Sequence, residues 1–150
     1  MDRLISGLAA IVVASVASAA SAQSDVPDLV GKWECDEATI LFREGEWSRV
    51  KRSVEVTEQR DAVFQALHNW ALDPDQGVMG HTFGESMISG TIPWVGVIDF
   101  DNETIHGGAF GDGHQFQGRL LDQNTMQLAL TEAGDNPWAS RTTCKRGDGG

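Results

Sequence analysis

From Ile92 onward, apolar and polar side chains alternate in short runs that turn residues cut at close spacing. Ile92 to Phe100 is apolar and β-branched, Asp101-Asn102 turns it, and Glu103 to Phe110 returns before Gly111-Asp112-Gly113 turns again. His114 to Leu121 follows with Phe116, Gly118 and Leu120 on one face, and Asp122-Gln123-Asn124 makes the next turn. Thr125 to Glu132 sets Met126, Leu128 and Leu130 against Gln127, Ala129 and Thr131, the alternation of a strand with one buried face. Gly134-Asp135-Asn136-Pro137 breaks the chain before a last strand from Trp138 to Lys145. Strands joined in series by such short turns form a meander.

The front half reads the same way with less regularity. Gly31 to Cys35 and Thr39 to Arg43 are strands, Glu44-Gly45-Glu46 turns, and Val50 to Glu58 carries Val54 and Val56 in alternation. After a turn at Gln59-Arg60-Asp61, Val63 to Leu72 puts Phe64, Ala66, His68 and Trp70 in register. Arg60 to Leu72 also has the composition of a helix, with neither Gly nor Pro; the period of two favours a strand. Asp73 to Thr91, rich in Gly, Asp and Ser, reads as a long loop and a candidate gate over one end of the fold.

The first residues change the setting. Met1-Asp2-Arg3 leads into an apolar stretch from Leu4 to Ala20, and Ala20-Ser21-Ala22 is the small-x-small pattern of a signal-peptidase site. The expectation is a signal peptide over residues 1–22, cut before Gln23, with residues 23–150 forming a single domain in the periplasm or the extracellular medium and keeping no stable membrane anchor. In such a compartment Cys35 and Cys144 are expected to form a disulfide, which requires the first and last strands to lie side by side. Eight or nine antiparallel strands tied end to end predict an all-β, up-and-down barrel, because closure removes both unpaired edges. A barrel of that size is filled by side chains or holds one small ligand.

A formal net charge of −11 excludes a nucleic-acid binder, which needs a basic stripe, and would steer only basic partners toward the surface. Asp28-Leu29-Val30-Gly31-Lys32-Trp33 resembles the Gly-x-Trp that opens the first strand of lipocalin- and avidin-like barrels. The resemblance implies that Trp33 closes one end of the barrel under a basic side chain of the last strand, the candidates being Arg141 first, then Lys145 and Arg146. Asn136-Pro137-Trp138-Ala139-Ser140-Arg141 is similar to the Trp-bearing loop before the last avidin strand. Val30-Gly31-Lys32-Trp33, Gly96-Val97-Ile98 and Gly118-Arg119-Leu120-Leu121-Asp122 also resemble exported bacterial proteins of unassigned function. Biotin binding does not follow, because Cys35 stands where avidin-like sites carry an Asn and the chain has no Tyr.

Five Trp and six Phe in so small a chain supply either core or pocket wall. The candidate ligand-binding set is Trp70, Met79, Phe83, Met87, Trp94 and Trp138. Gly96, Gly107, Gly108 and Gly118 indicate strand curvature or room left at the wall. No metal is expected: counting outward from the turn sets His106 near Gly118 and His114 opposite Phe110, while His68 and His81 lie elsewhere. Asp99, Asp101 and Glu103 start like a calcium loop, but Thr104 occupies its glycine position. Gly84-Glu85-Ser86-Met87-Ile88 fails the nucleophile-elbow pattern, so neither an enzyme nor a cofactor is expected. The leading expectation is a carrier of a small, largely apolar ligand. The alternatives are a module that binds a basic protein, such as an inhibitor of a foreign hydrolase, and a purely structural domain.

Overall fold

The computed structural model describes residues 26–42, 45, 47–73, 89–111, 113–134 and 137–147. The proposed signal and its cleavage point, the candidate residues Met79, Phe83 and Met87, His81 and the Gly84–Ile88 motif all lie outside the described residues. So does most of the expected gate.

Nine antiparallel strands make up the described chain: β1 (Gly31–Cys35), β2 (Ala38–Phe42), β3 (Trp47–Arg60), β4 (Val63–Leu72), β5 (Ser89–Ile98), β6 (Thr104–Ala109), β7 (His114–Asp122), β8 (Thr125–Glu132) and β9 (Trp138–Arg146). From β3 to β9 each strand pairs with the next, and both β1 and β2 lie between β3 and β9, so the sheet closes into an eight-position barrel. β1 and β2 share one position. Between Cys35 and Ala38 the register slips by one residue on both sides, which moves the inward parity from Trp33 to Ala38 and Ile40. The backbone freed at this break is held by β9, with Asp36 N donating to Thr143 O (2.8 Å) and Thr142 Oγ1 donating to Asp36 O (2.7 Å).

Residues 63–72 are a strand, not a helix, since β4 is paired along its length with β3 on one side and β5 on the other. Several boundaries move outward from the expectation, most of all the starts of β3 and β5. β3 starts at Trp47, because Ser48 and Arg52 occupy inward positions where an apolar residue would have marked the strand. β5 starts at Ser89, where Gly90 pairs with Trp70 and Thr91 Oγ1 donates to Asn69 Oδ1 (2.6 Å). His106 pairs with Gln117 rather than Gly118 and faces outward, whereas His114 lies on the inward face, opposite Glu132.

The disulfide is present: Cys35 and Cys144 are direct cross-strand partners with Cα atoms 3.8 Å apart. Trp33, with no exposed surface, closes the lower end of the barrel, and its Nε1 donates to Leu29 O (2.9 Å). The basic cover over its ring is Arg146, at 4.5 Å from the ring centroid, and not Arg141. Parity decides this. Trp138, Ser140, Thr142 and Cys144 point inward, so Arg146 continues that face while Arg141 points out and donates to Gln127 Oε1 (3.3 Å). Arg146 also donates through Nη1 to Val30 O (2.7 Å), clasping the segment that leads into β1.

The core fills the lower and middle barrel with Val54, Val56, Phe64, Ile98, Ile105, Phe116, Leu120, Met126 and Leu128. Gly96 and Gly107 serve close packing: a Cβ on either would come within 2.9 Å and 2.6 Å, respectively, of Phe116 Cζ. The room they leave at the wall is taken by that ring.

Candidate functional site

The upper half of the interior, toward the end of β4 and the start of β5, has a different chemistry. Ser48 and Arg52 come from β3, His68 and Trp70 from β4, Trp94 from β5, His114 from β7, Glu132 from β8, and Trp138 and Ser140 from β9. Strand alternation and barrel closure turn all of them inward. Arg52 is 6 % exposed and His68 3 % exposed, so a cation and an imidazole are buried where a filled barrel would place aliphatic side chains.

Their contacts are incomplete. Arg52 Nη1 donates to Ser140 Oγ (2.8 Å), and Ser140 Oγ donates onward to Thr39 O (3.0 Å). The guanidinium carbon lies 5.8 Å from the Trp138 ring centroid. Arg52 Nε, both ring nitrogens of His68 and Trp94 Nε1 are buried and find no protein hydrogen-bond partner among the described residues. Burial pulls the Arg52 guanidinium down to about 10, and burial, then the Arg52 and His114 charges, push His68 down to about 3. At neutral pH the first is a cation and the second a neutral ring.

An aromatic stack runs through the same region: His68 on Trp94 at 4.2 Å and Trp94 on Phe116 at 4.4 Å between centroids. Beside it, Glu132 accepts from Trp138 Nε1 (2.5 Å) and pairs with His114 Nε2 (3.2 Å), whose ring meets Trp138 edge-on. Trp70, paired in register with Arg52, is half-buried at the rim. The structure thus places Trp70, Trp94 and Trp138 in one half of the interior and links them through Arg52 and His68. Trp94 is fully core, at 3 % exposure.

Sequence reasoning missed Arg52 as a buried side chain and set His68 aside as a lone histidine. The signal was the alternation itself, since Arg52 falls on the face of Val50, Val54 and Val56, and His68 on that of Phe64 and Ala66.

Elsewhere the chemistry is structural. Asp101 Oδ1 accepts from the backbone N of Glu103 (2.9 Å) and Thr104 (2.7 Å), and these bonds, with that from the Thr104 hydroxyl, lower its carboxyl to about 2. That carboxylate caps its own turn. Among the described residues no three His, Cys, Asp or Glu side chains gather into a metal-binding group. A groove of about 740 Å³ follows the outer wall along β6–β8, where Gly108 and Ala129 leave space between His106, Gln115, Gln117 and Thr131. It lies on the side of the wall opposite Arg52.

A buried cation with no acidic side chain in ion-pair distance among the described residues opposes folding. Arg52→Met, similar in length and free of charge, is expected to stabilise the ligand-free protein by about 1 to 3 kcal/mol in denaturant unfolding. Ser140 keeps its bond to Thr39 O in that variant. A lower unfolding midpoint for Arg52→Met would show that the cation is already balanced.

No protein-family model matches the chain, and no curated protein matches it in sequence. Solved structures do. The chain is similar to EF1p2_mFAP2b bound to DFHBI, with TM-score 0.52 and 10 % identity over 79 % of this chain and 94 % of that one. It is also similar to the S-type phycobiliprotein lyase CPES from Guillardia theta, with TM-score 0.50 and 12 % identity over 81 % of this chain and 90 % of that one. At such identities the likeness is one of fold: this chain shares with them a closed antiparallel β-barrel.

Proposed function

We propose that the protein is an exported β-barrel that binds a small, largely apolar ligand in the upper half of its interior, and that it acts by binding rather than by catalysis. The observation that carries this reading is the group of buried polar atoms without partners on Arg52, His68 and Trp94, set among aromatic side chains. Buried polar groups in native proteins are nearly all satisfied, and a cluster of exceptions at one end of a barrel marks where a ligand's polar atoms belong. A ligand-binding reading is supported by EF1p2_mFAP2b, a barrel of similar fold whose structure is bound to DFHBI. Export is supported by the apolar stretch before Ala20-Ser21-Ala22 and by the disulfide, which persists in an oxidising compartment.

Titration with Nile red, a neutral apolar dye, tests the reading. Saturable dye emission at one site per chain, with a matching change in tryptophan fluorescence, is expected. Native mass spectrometry of protein purified from its own host should also show a bound small molecule. A linear, non-saturating dye response together with a bare mass would rule out the carrier function.

A further inference from the structure

We propose that the ligand is an amphiphile with a carboxylate head, held by Arg52 as a two-point ion pair, its apolar body lying along the Trp70 side of the upper barrel. This rests on the ligand-binding reading above and names the chemistry of its occupant.

The guanidinium carries the argument. Arg52 presents five N–H donors, and among the described residues its side chain makes one hydrogen bond, from Nη1 to Ser140 Oγ. Ser140 is itself fixed by its bond to Thr39 O, so the Arg52 plane is oriented rather than free. The edge left open is the one formed by Nε and Nη2, whose parallel N–H bonds match the two oxygens of a carboxylate. Among the described residues no acidic side chain lies within ion-pair distance of it. The carboxylate that shares its half of the interior, Glu132, is already engaged by Trp138 Nε1 and His114 Nε2.

A planar, singly charged head suits that edge: its two oxygens face the two N–H bonds, and it brings less negative charge beside Glu132 than a doubly charged phosphate would. His68 has an unpaired ring N–H to offer as well. On the apolar side, Trp70 stands directly across from Arg52 in the β3–β4 ladder, and Ile92, half-buried, continues that wall on β5.

Displacement of Nile red by dodecanoate and by methyl dodecanoate, which differ in charge and little in shape, decides the assignment. With the intact protein the acid is expected to displace the dye at about ten- to hundredfold lower concentration than the ester. Arg52→Gln should bring the two within about twofold of each other, chiefly by weakening the acid. Equal potency of acid and ester on the intact protein would overturn the carboxylate assignment and leave the ligand-binding reading standing. Failure of the dye and both competitors to bind would overturn both. Should Arg52→Gln not fold, the acid-to-ester ratio of the intact protein still decides, and a preference for acid that survives in Arg52→Gln would remove Arg52 from the site.

Discussion

Replacing both Cys35 and Cys144 by alanine is expected to cost about 4 to 5 kcal/mol of folding stability, because the bridge spans 109 residues and removes the loop-closure entropy of nearly the whole described domain from the unfolded chain. For a domain of this size that corresponds to a fall in melting temperature on the order of 15 °C. The double variant is the right reagent, since Cys144 has no exposed surface and a reductant reaches the bridge poorly in the folded state. The loss has a local component too. β1 is held to β9 by a short ladder that includes the bridged pair, and it carries Trp33, the plug of the lower end. Amide exchange in β1 should therefore accelerate more than exchange in β5 and β6, which pair away from the seam. An unchanged melting temperature in the double variant would mean that the closed barrel owes nothing to its covalent tie.

Barrel and bridge were both legible in the residues because each rests on a strong local signal. Met126, Leu128 and Leu130 alternate without interruption, the turns beside them are rich in Asp, Asn and Gly, and two cysteines at the ends of such a meander have one economical arrangement. What escaped depends on a one-residue offset. The slip between β1 and β2 at Asp36-Glu37, the pairing of His106 with Gln117 and the choice of Arg146 over Arg141 each turn on which face a residue takes, and a shift of one position inverts that face.

The candidate site was half legible for a different reason. Trp94 and Trp138 announce themselves by size, since large aromatic rings are buried wherever they fall. Arg52 and His68 occupy positions whose pattern says inward, but whose chemistry ordinarily says outward. Only closure of the sheet turns an arginine on the Val50–Val54 face from a surface charge into a buried one. In the Glu132–His114–Trp138 group, Glu132 and Trp138 face each other across the β8–β9 hairpin, but His114 comes from the start of β7, and that pairing is set by the register of the sheet.

Acid should loosen the empty barrel through His68 before most of its carboxylates titrate. In the unfolded chain this imidazole takes up a proton near 6.5; in the folded chain burial and the nearby Arg52 and His114 charges hold it neutral down to about 3. Between those values the unfolded state binds the extra proton, so stability falls as the pH drops from 6.5 toward 3, and above 6.5 His68 contributes no pH dependence. The loss due to this one ring is about 3 kcal/mol by pH 4. Asp101 works in the same direction at lower pH, because its capped carboxyl is depressed to about 2 and its contribution disappears as that group protonates. His68→Phe separates the two. Phenylalanine keeps a flat ring against Trp94 and discards two nitrogens that have no partner, so the variant should match or exceed the parent at neutral pH. Denaturant midpoints of the two proteins should then diverge steadily below pH 6.5, the variant holding its stability to about pH 4. Parallel pH curves would show that the folded barrel lets His68 take up its proton, and that water or another acceptor reaches the upper interior to receive it.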